Sequence, residues 1–199
     1  MTRMLVFGVF CLRLTAGESE PKLPCDYFAS LLRFRLGERE ARFVDAYPFE
    51  TLDNKNGYCA KEMDHGGMGY LFAEWKSANG RVFGFSQASE REGNLYETTF
   101  WRFREGQWLE LKEVVPAITL ADFEDEHRAA PAEMAPYAFF EIKLPRHGTT
   151  IVVGLKGICV RGDCRYEHRV VQEATYNEMD LIWNAGVGRF SKGSKRLVR

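Results

Sequence analysis

"GYLFAEWKSANGRVFGFSQ", residues 69–87, is the stretch that decides the fold. Two short runs rich in aromatic and β-branched residues, GYLFAEW and RVFGFSQ, flank Asn79-Gly80. Asn-Gly tolerates the positive φ that a tight hairpin demands, so the stretch reads as two antiparallel strands. The same grammar recurs on both sides. LYETTFWRF and QWLELKE, from residue 95 to residue 113, are joined across Glu105-Gly106. Asn56-Gly57 marks another hairpin turn and Gly66-Gly67 a loop. Residues 51–115 therefore form a β-meander. The polar–apolar alternation of residues 95–104 implies a strand with one wet face.

Outside this meander the pattern changes. In residues 25–47, Phe28, Leu31, Leu32 and the Arg35 stem recur at i, i+3, i+4 and i+7, the period of a helix. Asp26 suits its N-terminal cap, Gly37 interrupts it, and Pro48 ends the second piece. Residues 116–136 read as a helical linker, with Thr119 capping a short helix through His127 and Pro131 and Pro136 closing it. Residues 137–192 return to β: AFFEIKL, TTIVVGLKGICV, CRYEHRVVQEA, EMDLIW and RFSK follow in turn. The expected class is α+β with β dominant: antiparallel meanders, open to packing as two sheets, with an N-terminal helical segment.

Composition sets the compartment. The 199 residues carry a formal net charge of −1, which offers no basic excess for nucleic acid. Residues 1–17 have a basic start, an apolar stretch from Met4 to Leu14 and small residues at Thr15-Ala16-Gly17, the outline of a secretory signal peptide. The apolar stretch is too short for a transmembrane helix. Residues 18–199 would then be one exported domain, secreted or periplasmic. Loss of Cys11 leaves Cys25, Cys59, Cys159 and Cys164, an even set that suits two disulfides. Closeness in sequence favours Cys159–Cys164, leaving Cys25–Cys59.

The RGD triplet, Arg161-Gly162-Asp163, invites a receptor-binding reading. With Arg161-Gly162 as a two-residue turn, Val160 faces Asp163 and Cys159 faces Cys164 on the apolar face shared with Val153 and Val170, so the cysteines staple a hairpin and the triplet is its tip. Cys59, Met63, His65 and Met68 gather soft ligands; His65, Met63 and Met68 suit copper(I) if Cys59 is in a disulfide. The acidic run from Asp122 to His127 lacks the glycine and spacing of a calcium loop. Tyr96, Trp101 and Trp108 are either core or a strand-borne aromatic surface for a ligand. The chain shows no nucleophile elbow, zinc-protease motif or phosphate loop, and no cofactor is implied.

Three segments carry a resemblance. Asp53-x-x-Asn56-Gly57-Tyr58, the series Gly106-x-Trp108, Val114-Val115-Pro116 and Leu120-x-Asp122-Phe123, and the closing Leu181-Ile182-Trp183 with Gly188-Arg189-Phe190 resemble a set of uncharacterised exported bacterial β-rich proteins. The resemblance implies an exported β-rich domain and transfers no catalytic residue. The leading expectation is a non-catalytic module binding another protein or a surface polymer. The alternatives are an envelope-acting hydrolase with scattered acids and histidines, and a copper-handling protein.

Overall fold

The computed structural model describes residues 21–63, 68–89, 95–125, 135, 138–157 and 174–198. The decisive hairpin forms along its whole length. β3 (Met68–Ser77) pairs with β4 (Gly80–Ser89) from Met68↔Ser89 to Ser77↔Gly80. The turn is Ala78-Asn79, one residue earlier than the Asn-Gly signal suggests. Gly80 opens β4 at φ +103°, and the Ser77 hydroxyl closes the corner by donating to the Gly80 carbonyl at 2.7 Å.

Around this pair, β1 (Thr51–Asp53), β2 (Tyr58–Met63), β5 (Leu95–Arg104) and β6 (Gln107–Glu110) complete a six-stranded antiparallel sheet in strict chain order. The β5–β6 turn falls on Glu105-Gly106, both at positive φ, as a two-residue type I′ turn requires.

The period of two sorts the side chains onto two faces. Tyr70, Phe72, Phe83, Phe85, Trp101 and Trp108 share one face with a core built on α1 (Pro24–Leu36) and α2 (Glu38–Asp45). Trp75, Val82 and Phe100 belong to a second core on the opposite face. There a four-stranded antiparallel sheet covers them, made of β7 (Ala138–Lys143), β8 (Ile151–Gly157), β9 (Glu178–Asn184) and β10 (Arg189–Arg196). The molecule is therefore layered: helices, six-stranded sheet, four-stranded sheet. The expected α+β, β-dominant class is present, and the two meanders are two sheets packed face to face.

Burial on both faces corrects the expected wet strand. Phe100 and Trp101 are neighbours on β5 that point oppositely, yet they are only 5% and 8% exposed. The helical period holds: Phe28, Leu31 and Leu32 are fully buried, and Arg35 lays its guanidinium 5.0 Å from the centre of the Phe85 ring. Asp26 caps α1 from inside its first turn. Its carboxylate accepts from the Leu23 N–H at 3.0 Å, because Leu23 is the N-cap and Pro24 begins the helix. Cys25 and Cys59 form a buried disulfide, Cα atoms 5.9 Å apart, that fixes α1 to β2.

One further expectation changes. The helix from Thr119 is a 3₁₀ turn, Leu120–Phe123, ending within the acidic run. The Asp122 carboxylate takes the Thr119 N–H at 2.8 Å and the Lys192 ammonium at 2.6 Å, and these partners outweigh burial and lower its pKa. Val152, Val153 and Gly154 pair with β7 on one edge and with β9 on the other, so this part of β8 has no free edge. Cys159, Cys164 and the triplet between them lie outside the described residues.

The two sheets lock at Trp75. A side-chain carbon on Gly84 would meet the Trp75 ring at 2.8 Å and Leu144 at 3.1 Å. Gly84→Ala should cost about 1–3 kcal/mol, as overpacking of a filled core does. Urea unfolding measures it, and an unchanged midpoint would show that the ring does not need that space.

Candidate functional site

The sheets and α1 converge on a cavity of about 440 Å³. Its rim begins with the β1–β2 turn. The Asp53 carboxylate accepts from the Asn56 backbone N–H at 3.2 Å and from its side-chain amide at 2.9 Å. The Asn54 side-chain oxygen accepts from the Cys25 N–H at 3.1 Å, beside the disulfide. Gly57 sits at φ +70°, and a side chain there would meet the Glu74 Cβ at 2.9 Å. Its carbonyl accepts from the Glu74 N–H at 2.9 Å. The turn is thus tied to α1, to β3 and to itself.

The second sheet supplies the opposite wall. The Trp183 indole donates to the Lys76 carbonyl at 2.8 Å, and the Trp75 indole donates to the Thr149 carbonyl at 3.1 Å. The Ala78 N–H donates to the Ala185 carbonyl at 2.9 Å, joining the β3–β4 and β9–β10 hairpins. These bonds set Trp183, half-buried, into the cavity wall.

Charge in this wall is uneven. Lys22, Lys55, Lys76 and Arg81 face a single carboxylate, Glu74. Glu74 is 5% exposed, and its Oε1 lies 3.4 Å from Arg81 Nη1. Among the described residues that oxygen has no hydrogen-bond partner, so the pair with Arg81 is held by charge. Arg81 also lies over the Tyr27 ring, 5.6 Å from its centre. Its side chain remains 43% exposed. The arrangement presents a guanidinium in a fixed place. A second cavity of about 420 Å³, near Arg102 and Val187, differs in this respect. There Lys112 pairs with Glu110 at 2.6 Å and Arg189 with Glu113 at 2.8 Å.

The residues singled out from sequence do not assemble here. Trp101 and Trp108 are buried under α1, where Trp108 donates to the Ser30 hydroxyl at 3.2 Å, so neither ring is a ligand surface. Tyr96 pairs with Ala88 in the strand register, and its side chain lies outside the described residues. Met63 and Met68 face each other at the end of the β2–β3 hairpin. Their side chains, and His65 between them, are likewise outside. Cys59 Sγ is committed to the disulfide. Among the described residues no group of three His, Cys, Asp or Glu side chains is placed to hold a metal ion, and no helix is long and apolar enough to cross a membrane.

Lys22, Glu74, Lys76 and Arg81 were not singled out by sequence reasoning, and Trp183 entered only through the Leu181-Ile182-Trp183 segment of the resemblance. Only Glu74 carried a local signal, a carboxylate in the middle of an otherwise apolar strand. No protein-family model, curated protein or solved structure matches the chain.

The Asp53 pKa is lowered, first by the Asn56 side-chain amide, with further help from the Asn56 N–H and Arg146. The turn's ionic hold is therefore complete above the ordinary carboxylate value of 3.8 and lost as pH falls through the lowered one. Asn56→Ala should return the Asp53 midpoint toward 3.8 in a carboxyl ¹³C NMR titration. An unmoved midpoint would show that the amide does not hold this carboxylate.

Proposed function

We propose that the chain is a non-catalytic binding module, secreted or periplasmic, that holds another macromolecule or a surface polymer through the cavity at Arg81 and Trp183. The carrying observation is the state of its one carboxylate. Glu74 is spent on orienting Arg81, which leaves cations, amides and an indole facing the opening. Such groups bind anions, and the one carboxylate that could serve as a general base is already paired. Export is supported by the signal-like start, by the Cys25–Cys59 disulfide, a bond of oxidising compartments, and by the resemblance to exported β-rich proteins.

The competing reading is a hydrolase of envelope material, which needs a second acid or a histidine converging with Glu74. Asp53, on the neighbouring turn, is committed to Asn56 and Arg146. Sedimentation separates the two readings. The purified chain, mixed with insoluble cell-wall polymer, should pellet with it saturably and release no reducing ends or free amines over hours. Release would establish the hydrolase, and a chain left wholly in the supernatant would contradict binding to that polymer.

A further inference from the structure

We infer that the cavity takes an acidic glycan, with the carboxylate of a sugar acid on Arg81 and the sugar ring against Trp183. The inference rests on the binding-module reading and names its ligand class.

Three features converge on that chemistry. The first is charge: four cations and one sequestered carboxylate favour an anion, and the guanidinium fork matches a carboxylate in two parallel hydrogen bonds. Arg81 is also pre-positioned. Held by Glu74 at 3.4 Å and by the Tyr27 ring, it surrenders little rotamer freedom when a ligand arrives. The second feature is the aromatic wall. Trp183 cannot turn its indole N–H to a ligand, because the Lys76 carbonyl holds it. Packing on Phe190, ring centres 4.8 Å apart, fixes the ring further. What it offers is apolar ring surface, which suits the C–H face of a sugar.

The third feature is the rigid turn. Asn54 has its side-chain oxygen on Cys25 and retains its NH₂ for a ligand. Asn56 gives its NH₂ to Asp53 and retains its oxygen. A donor and an acceptor on one held turn suit vicinal hydroxyls. The cavity, about 440 Å³, is in the range of small-ligand sites. An acidic peptide would use the cations as well, but it brings no array of hydroxyls for the turn and no flat C–H face for the indole.

Isothermal titration of the full chain tests this with three probes: tetragalacturonate, neutral cellotetraose and tripolyphosphate. Tetragalacturonate should bind, weaken as salt rises, and lose about tenfold or more in affinity with Arg81→Ala, the scale of a charged hydrogen bond. Arg81→Lys should recover part of that loss and Trp183→Ala should weaken binding too. Glu74→Gln, which frees Arg81 to move, should weaken it less. Arg189→Ala, in the other cavity, should change nothing. Thermal melts report folding, and if Arg81→Ala does not fold, Arg81→Lys and Lys76→Ala carry the test. Equal binding of cellotetraose, dependent on Trp183, would overturn the acidic class and leave the binding module standing. Binding of tripolyphosphate alone, indifferent to Trp183→Ala, would overturn the sugar. If no probe binds while the chain still pellets with cell-wall polymer, the cavity is not the ligand site. Failure of both measurements would remove the binding-module reading itself.

Discussion

The Trp75 ring lying across Gly84 is the contact on which the rest of the structure depends. The ring is 1% exposed and fills the space a side chain at Gly84 would take. It meets Phe190 edge-on at 5.3 Å, and its indole N–H reaches the Thr149 carbonyl in the β7–β8 connection. One residue thus ties the six-stranded sheet to two parts of the four-stranded sheet. The cavity is a consequence. Where the seam opens beyond Trp75, the second sheet has already been drawn close enough to set Gly148, Thr149 and Trp183 beside Glu74, Lys76 and the β1–β2 turn.

A sheet covered on both faces leaves charged side chains few places to go, and burying one unpaired is costly. The buried charges Lys61 and Glu74 of the middle layer each have a partner. Lys61 is 3% exposed, and burial lowers its pKa. Its ammonium donates to the Val44 carbonyl at 3.0 Å, lies 3.6 Å from Asp45, and sits over the Phe49 ring. It closes the C-terminal end of α2. Arg35, in the last turn of α1, donates to the Thr99 hydroxyl and lies against two aromatic rings. Glu74 has Arg81 as its partner, which stands half in water.

Much of the fold was legible because the signals are local. Glu105-Gly106 marked its turn correctly, since positive φ at both positions is a property of two residues. The 28, 31, 32, 35 spacing marked the buried face of α1 for a similar reason. The wet face assigned to residues 95–104 was misjudged because threonine in a strand looks exposed until its partners are known. Thr98 bonds to the Ser86 hydroxyl at 3.1 Å, and Thr99 accepts from Arg35 and Trp101. A polar residue on a covered face needs only a partner. The cavity was illegible for a stronger reason. Its wall runs from Lys22 to Ala185 and exists only through sheet-on-sheet packing. No short window of sequence holds more than one wall of it. The aromatics that drew notice, Trp101 and Trp108, are core, and Trp183 sits at the opening.

The four indole N–H groups make the central claim directly measurable, because one tryptophan lies in the cavity wall at the opening, one behind it, and two beneath α1. In the full chain labelled with ¹⁵N-tryptophan and titrated with tetragalacturonate, the Trp183 indole signal should move saturably, with a smaller movement at Trp75. Trp101 and Trp108 should hold still. A static Trp183 signal, or movement led by Trp101 or Trp108, would contradict the placement of the ligand site.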